Sequence, residues 1–216
     1  KQGTQLNFQN SATAARLIMG VLSTHSGIKV KLNGDQSLRK RSMKKLISLL
    51  NKFGASFYPV GKNTLPLTLI SSEMPIGINY VSGISAQLKS ACILAALNSY
   101  GVTNIYENFK SRNHTENMLK KNIGVIKITK DKNIKIFGKQ NLNNFKIDVP
   151  NDPSSAAFFT ALTLLTEKSS LNIRSVGLNP RRIGFYKILN NPEEIKTFSN
   201  NVKDNYEHIV VCGIGG

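Results

Sequence analysis

Ser11-Ala12-Thr13-Ala14-Ala15-Arg16-Leu17-Ile18-Met19-Gly20-Val21-Leu22 is the stretch that decides the fold. Ser opens it, and a Ser hydroxyl takes up an orphan backbone N–H at a helix start. The residues after it are Ala-rich and apolar nearly all round, the composition of a buried helix. Gly27-Ile28-Lys29-Val30 follows as a turn leading into a strand. The same plan returns twice. Ser85-Ala86-Gln87-Leu88-Lys89-Ser90-Ala91-Cys92-Ile93-Leu94-Ala95-Ala96-Leu97 precedes Gly101-Val102-Thr103-Asn104-Ile105. Ser154-Ser155-Ala156-Ala157-Phe158-Phe159-Thr160-Ala161-Leu162 precedes Ser170-Leu171-Asn172-Ile173. Self-similarity at this spacing marks a repeat architecture.

A second, amphipathic helix is expected after the buried one. It runs over Ser42–Leu50 with Gly54 as its stop, and over His114–Lys120 with a stop near Gly124. A third begins at Leu178-Asn179-Pro180-Arg181-Arg182 and continues through Phe185–Leu189. Short alternating runs predict strands at 67–70, 127–129, 134–137 and 146–149. The unit is therefore strand–helix–strand–helix–strand–strand, and the class is α/β with internal pseudo-symmetry. Stacked units would put the Ser/Ala helices inside and the amphipathic ones further out.

Composition narrows the function. Hydrophobic residues make up 40% of the 216, enough for a core and against disorder as the main state. No run approaches the ~18 apolar residues of a membrane span. The start, Lys1-Gln2-Gly3-Thr4-Gln5, predicts no signal peptide and reads as the middle of a longer chain. Cys92 and Cys212 stand far apart with no metal spacing, so both are expected as free thiols. His25, His114 and His208 form no ligand motif, and no metal is expected. Lys and Arg total 29 against 12 acids, a net charge of +17. That balance suits nucleic acid or small anionic substrates. The basic residues are scattered through an Asn-rich chain, a general Lys/Asn bias rather than a nucleic-acid stripe, so no nucleic-acid partner is expected.

The starts of the buried helices combine free backbone N–H groups with Ser, Thr or Gln side chains. Such ends attract anions. Arg16, Arg39-Lys40-Arg41, Lys89 and Arg112 follow nearby. Together they suit a multiply anionic, phosphorylated ligand.

Six motifs in order then carry a resemblance. Asn10-Ser11-Ala12-Thr13-Ala14-Ala15-Arg16, Gly34-Asp35-x-Ser37-Leu38-x-Lys40-Arg41 and Ser85-Ala86-Gln87-x-Lys89-Ser90 are three of them. Ser111-Arg112-Asn113-His114-Thr115-Glu116-x-Met118-Leu119, Asp152-Pro153-Ser154-Ser155-Ala156-Ala157-Phe158-Phe159 and Leu178-Asn179-Pro180-x-Arg182-x-Gly184 complete the set. This series resembles the 5-enolpyruvylshikimate-3-phosphate synthase family. Ser42 stands where the family usually has Pro, Asn113 where it has Asp, and Asn151 where it has Gly.

The resemblance implies a fold: βαβαββ units of the enolpyruvyl transferase inside-out α/β barrel, incomplete in this chain. It assigns residues 1–146 to two of the three units of one domain, and 147–190 to the first unit of the other. It implies an enolpyruvyl transfer from phosphoenolpyruvate to the 5-hydroxyl of shikimate 3-phosphate in aromatic amino-acid biosynthesis, in a cytoplasmic, monomeric enzyme with no cofactor. Ser85, Ala86, Gln87 and Arg112 take the shikimate 3-phosphate positions. Ala12, Thr13, Arg41 and Gln87 take the phosphoenolpyruvate positions. Ala12 stands where most members have Gly, and members with Ala there resist glyphosate. The family's acid and base residues match nothing here, so the 216 residues by themselves are expected to be inactive.

Residues 191–216 do not read like this family. Asn191-Pro192-Glu193-Glu194-Ile195 begins a helix-like run, and Ile209-Val210-Val211-Cys212-Gly213-Ile214-Gly215-Gly216 a strand and Gly-rich turn. The latter is similar to the sugar-phosphate-binding start of glucose-6-phosphate isomerase, or is an incidental strand–turn or disordered end. Two rival readings remain. One is the related transferase acting on UDP-N-acetylglucosamine, which uses a loop cysteine that neither Cys92 nor Cys212 resembles. The other is a non-catalytic, basic repeat protein that binds nucleic acid.

Overall fold

The computed structural model describes residues 4–122, 124–129, 131, 133–144, 146–166 and 168–189. The chain divides into two compact units at Asn144 and Phe145. The segment 191–216, with Cys212 and the run similar to the isomerase, lies outside the described residues.

The first unit contains the βαβαββ plan twice. Strand β1 (Gln5–Asn7), helix α1 (Ala12–Leu22), β2 (Lys29–Asn33), α2 (Gln36–Lys40), α3 (Lys44–Asn51), β3 (Ser56–Tyr58) and β4 (Leu67–Ile70) form the first copy. Strand β5 (Asn79–Ser82), α4 (Ala86–Leu97), β6 (Val102–Glu107), α5 (His114–Leu119), β7 (Ile126–Ile128) and β8 (Asn133–Phe137) form the second. The two sheets have one topology, β1-β2-β4-β3 and β5-β6-β8-β7. In each, the strands flanking the first helix pair in parallel and the rest pair antiparallel. A parallel pair needs a crossover, and a helix supplies it.

Alternation fixes which face is wet. Val30 and Leu32 on β2 are buried while Lys29 and Lys31 are exposed. The register sets Val30 beside Leu69 and Leu32 beside Leu67. On β8, Ile134 and Ile136 point inward beside Ile105 and Thr103. A slip of one residue would turn the lysines into the core, which pins the register. Helix α3 is amphipathic as expected and buries Leu46, Leu49 and Leu50. Gly54 follows it at φ +93°, a left-handed conformation in which glycine carries no Cβ penalty.

Helices α1 and α4 are the core pair. Alanine lines their contact, with Ala12, Ala15, Met19 and Gly20 buried on α1 and Ala91, Cys92, Ala95 and Ala96 on α4. A Cβ on Gly20 would stand 2.6 Å from the carbonyl oxygen of Ala91, so only glycine lets the two backbones approach this closely.

The second unit begins the plan a third time. Helix α6 (Pro153–Leu165) is followed by α7 (Gly184–Leu189), with one parallel bridge between Asn151 and Val176. Three expectations change here. The cap of α6 is Asp152, whose carboxylate accepts from the Ser155 N–H at 3.1 Å, two residues ahead of the expected Ser154. Residues 146–149 and 170–173 are not strands: their alternation is real, but the bridge lies outside both and no described segment pairs with them, and a strand without a partner leaves its ladder unsatisfied. Nor is α6 buried, since Phe159 is 60% and Leu162 62% exposed. Among the described residues of this unit no sheet covers it.

Two measurements check this packing. Gly20→Val is expected to destabilise the fold by about 2 kcal/mol or more, the cost of overpacking a close helix contact, read as a lower denaturant midpoint. An unchanged midpoint would show that α1 and α4 do not meet there. Burial pushes the Cys92 thiol far above its ordinary range, and thiolate is the reactive form. Peptide mapping should therefore find Cys92 unmodified by iodoacetamide in the folded protein and alkylated in denaturant; native-state labelling would contradict the buried position.

Candidate functional site: the paired helix starts

Equivalent residues at the start of α1 and α4, and just past their last turns, bond to one another. The Gln87 side-chain amide donates to Thr13 Oγ1 at 2.6 Å, and the Asn98 amide donates to the Thr24 carbonyl at 2.5 Å. Both pairs are 74 residues apart, the repeat distance. The helices therefore run parallel and in register, and their positive N-terminal ends lie side by side.

Each end is capped by a serine. Ser11 Oγ accepts from Ala14 N at 3.1 Å and Ser85 Oγ from Leu88 N at 3.4 Å. The Ala12 N–H donates to the Asn10 carbonyl at 3.1 Å, which leaves other first-turn N–H groups, among them those of Thr13, Ala86 and Gln87, near the mouth of the pair. Ala12 is buried at the first position of α1, Ser85 is exposed, and Ala86 and Gln87 are half-buried.

The Gln87 amide is fixed by its neighbours. Arg16 Nη1 donates to Gln87 Oε1. A guanidinium is donor-only, so it dictates which end of the amide carries oxygen. The NH2 end then donates to Thr13, whose own O–H is left to donate to a bound anion. The sequence put Thr13 and Gln87 in one ligand set without their mutual bond, and it gave Arg16 as a motif position and a nearby charge with no substrate role.

Charge gathers at this end. Arg41 closes α2 in extended backbone and is half-buried. Burial holds the Arg16 guanidinium below its ordinary range, and repulsion from Arg41 lowers it further. Among the described residues neither arginine has a carboxylate within ion-pair distance. A cavity of about 250 Å³ opens beside Arg16, lined by Arg16, Ser42, Lys45, Leu46, Ser85 and Leu88, so that of the seven positions named for substrate only Ser85 borders it. Cations and hydroxyls around one hollow favour a phosphate or carboxylate. A larger hollow of about 660 Å³ along α3 and β3 contains none of the seven positions named for substrate.

Arg112, the remaining residue named for substrate, stands on another element. It is exposed on the loop between β6 and α5. That loop is tied to α4 through Lys89, whose ammonium lies 2.7 Å from Glu107 and 2.6 Å from Glu116. Sequence reading missed this triad. Its signal was a lysine inside an apolar run, since a lysine is almost never fully buried unless paired.

Among the described residues no cluster of His, Cys, Asp and Glu could hold a metal, and no helix is long and apolar enough to cross a membrane.

Comparison with known proteins agrees with this geometry. The family model described as EPSP synthase (3-phosphoshikimate 1-carboxyvinyltransferase) matches residues 1–212. The 3-phosphoshikimate 1-carboxyvinyltransferase of Petrotoga mobilis is 42% identical over 187 residues, covering 85% of this chain and 43% of that protein. The enzyme of the same name from Thermodesulfovibrio yellowstonii is 43% identical over 184 residues, covering 84% and 42%. An EPSP synthase structure from Acinetobacter baumannii superposes with a TM-score of 0.74 at 35% identity, covering 87% of this chain and 42% of that one. The chain thus spans less than half the length of these relatives. Repeat topology, ordered motifs and these matches agree: the chain belongs to the EPSP synthase family.

Proposed function

We propose that the chain supplies the substrate-binding half-cleft for enolpyruvyl transfer from phosphoenolpyruvate to the 5-hydroxyl of shikimate 3-phosphate. The observation that carries this is the Arg16–Gln87–Thr13 hydrogen-bond chain across two parallel helix starts, with Arg41 alongside. Both substrates are phosphorylated and carboxylated, and each needs fixed donors and cations. Ser85, Ala86 through its backbone, Gln87 and Arg112 take shikimate 3-phosphate. Ala12, Thr13, Arg41 and Gln87 take phosphoenolpyruvate. Gln87 is common to both sets, and its two bonded neighbours fix the spot where the ligands meet.

In the reaction the 5-hydroxyl oxygen bonds to the enol carbon of phosphoenolpyruvate, and a proton adds to the terminal methylene. The resulting tetrahedral intermediate loses phosphate and a methyl proton to give the enolpyruvyl ether. This half-cleft orients the reactants and offsets their negative charge. None of its named residues is the acid or base, so turnover needs groups beyond those named. A cytoplasmic, monomeric setting goes with this activity.

Two tests follow. Calorimetric titration of the chain with shikimate 3-phosphate should give saturable binding that weakens about tenfold or more in Gln87→Ala, the equivalent of ~1.4 kcal/mol. No heat with shikimate 3-phosphate, but strongly salt-dependent binding of an oligonucleotide, would favour the nucleic-acid reading instead. In an active enzyme built around this segment, glyphosate should inhibit poorly because the Ala12 methyl crowds the longer inhibitor. Ala12→Gly should then lower the inhibitory concentration about tenfold or more, matching an overpacking cost of ~1–3 kcal/mol. An enzyme already sensitive and unchanged by the substitution would contradict the role of Ala12.

A further inference from the structure

We propose that Lys89, Glu107 and Glu116 form a buried charged clamp that positions Arg112 for shikimate 3-phosphate, so that all three are positioning residues rather than ligands. The inference rests on the reading of Arg112 given above.

The clamp is inaccessible to any substrate. Lys89 is 0%, Glu107 4% and Glu116 1% exposed at the side chain. One ammonium bridges two carboxyl groups that belong to different elements. Glu107 is the last residue of β6, and Glu116 stands in the first turn of α5. The intervening loop, with Arg112 on it, is therefore fastened at both ends to α4.

Further bonds tighten the same loop. Glu107 Oε1, already on Lys89, also accepts from the Ser111 backbone N–H at 2.9 Å and the Ser111 hydroxyl at 3.2 Å. This closes the turn just before Arg112. On the other side, Thr115 and Ser90 share a hydroxyl hydrogen bond at 2.8 Å. Arg112 is thus bracketed by Ser111, Thr115 and Glu116, each joined to Lys89 or Ser90 directly or through Glu107. The first turn of α4 holds Ser85, Ala86 and Gln87, one turn before Lys89 and Ser90. Any ligand spanning Gln87 and Arg112 reads the distance that this clamp sets.

Stability alone is a poor reason for such a group. Buried ion pairs are often matched by well-packed apolar residues of the same volume, and the rest of the α4 core is apolar. A charged clamp gives direction as well as cohesion, since two carboxyl groups must meet one ammonium at fixed angles.

The test compares the 216-residue chain with its Glu116→Gln, Ser111→Ala and Arg112→Ala variants and with the Glu116→Gln/Arg112→Ala double variant. Amide hydrogen exchange is read without ligand, and affinities for shikimate 3-phosphate and phosphoenolpyruvate by calorimetry. The clamp predicts faster exchange confined to residues 107–116 in Glu116→Gln and, to a smaller degree, in Ser111→Ala. It predicts shikimate 3-phosphate affinity about fivefold or more weaker in Glu116→Gln, phosphoenolpyruvate affinity unchanged, and no further loss when Glu116→Gln is added to Arg112→Ala. Unchanged exchange at 107–116 overturns the clamp whatever the ligand results. Equal losses for both ligands, or additive losses in the double variant, overturn the link to Arg112. If Glu116→Gln fails to fold, Ser111→Ala carries the same comparison, because it deletes one hydroxyl from the loop and leaves the ion triad. A parent chain that binds no shikimate 3-phosphate counts against the proposed function, while the exchange data still decide the clamp.

Discussion

The close, parallel contact between α1 and α4 is the constraint on which the rest depends. Glycine at 20 against the Ala91 carbonyl sets how near the helices come. Hydrogen bonds between equivalent residues at both ends set their register. A slide by one turn would move the helix starts apart by about 5.4 Å and break the Gln87–Thr13 bond. Two repeats of one sequence plan, packed through the same kind of helix, thus place two partial positive ends together. What the sheets contribute is a frame that holds those helices at right depth and direction.

The polar chemistry is layered on that apolar frame. Near the mouth, Arg16 orients Gln87 and Gln87 engages Thr13. One turn deeper, Lys89 holds the β6–α5 loop. The mouth carries cations without carboxylate partners among the described residues; the deeper layer neutralises its own lysine with two carboxyl groups. This ordering keeps the unneutralised positive charge where an anionic ligand can reach it.

Much of the frame was legible in the sequence, because local rules and tertiary packing agree there. Ser11 and Ser85 are caps, the apolar Ala-rich runs are buried helices, and Leu67–Ile70 is a strand over the residues its alternation marked. Helix α2 went unread, although Asp35 caps it through the Leu38 N–H at 2.7 Å, because five residues show no full period. Strand β3 is three residues long and too short for alternation to register. The reverse error at 146–149 and 170–173 has a non-local cause: alternation marks a segment fit to be a strand, but pairing makes it one. In the site, residue types were readable from motifs, while partnerships were not. Arg16 with Gln87, and Lys89 with Glu107 and Glu116, join positions from different elements that only the fold brings together.

The most direct test of the central claim is a ¹H–¹⁵N spectrum of the labelled chain as shikimate 3-phosphate is added. The account predicts that the Gln87 side-chain NH2, the first-turn amides of α4 and the Arg112 loop shift together along one saturating curve, while β2, β4 and α3 amides stay in place. Shifts spread evenly over the exposed lysines, with Gln87 and Arg112 unmoved, would contradict it.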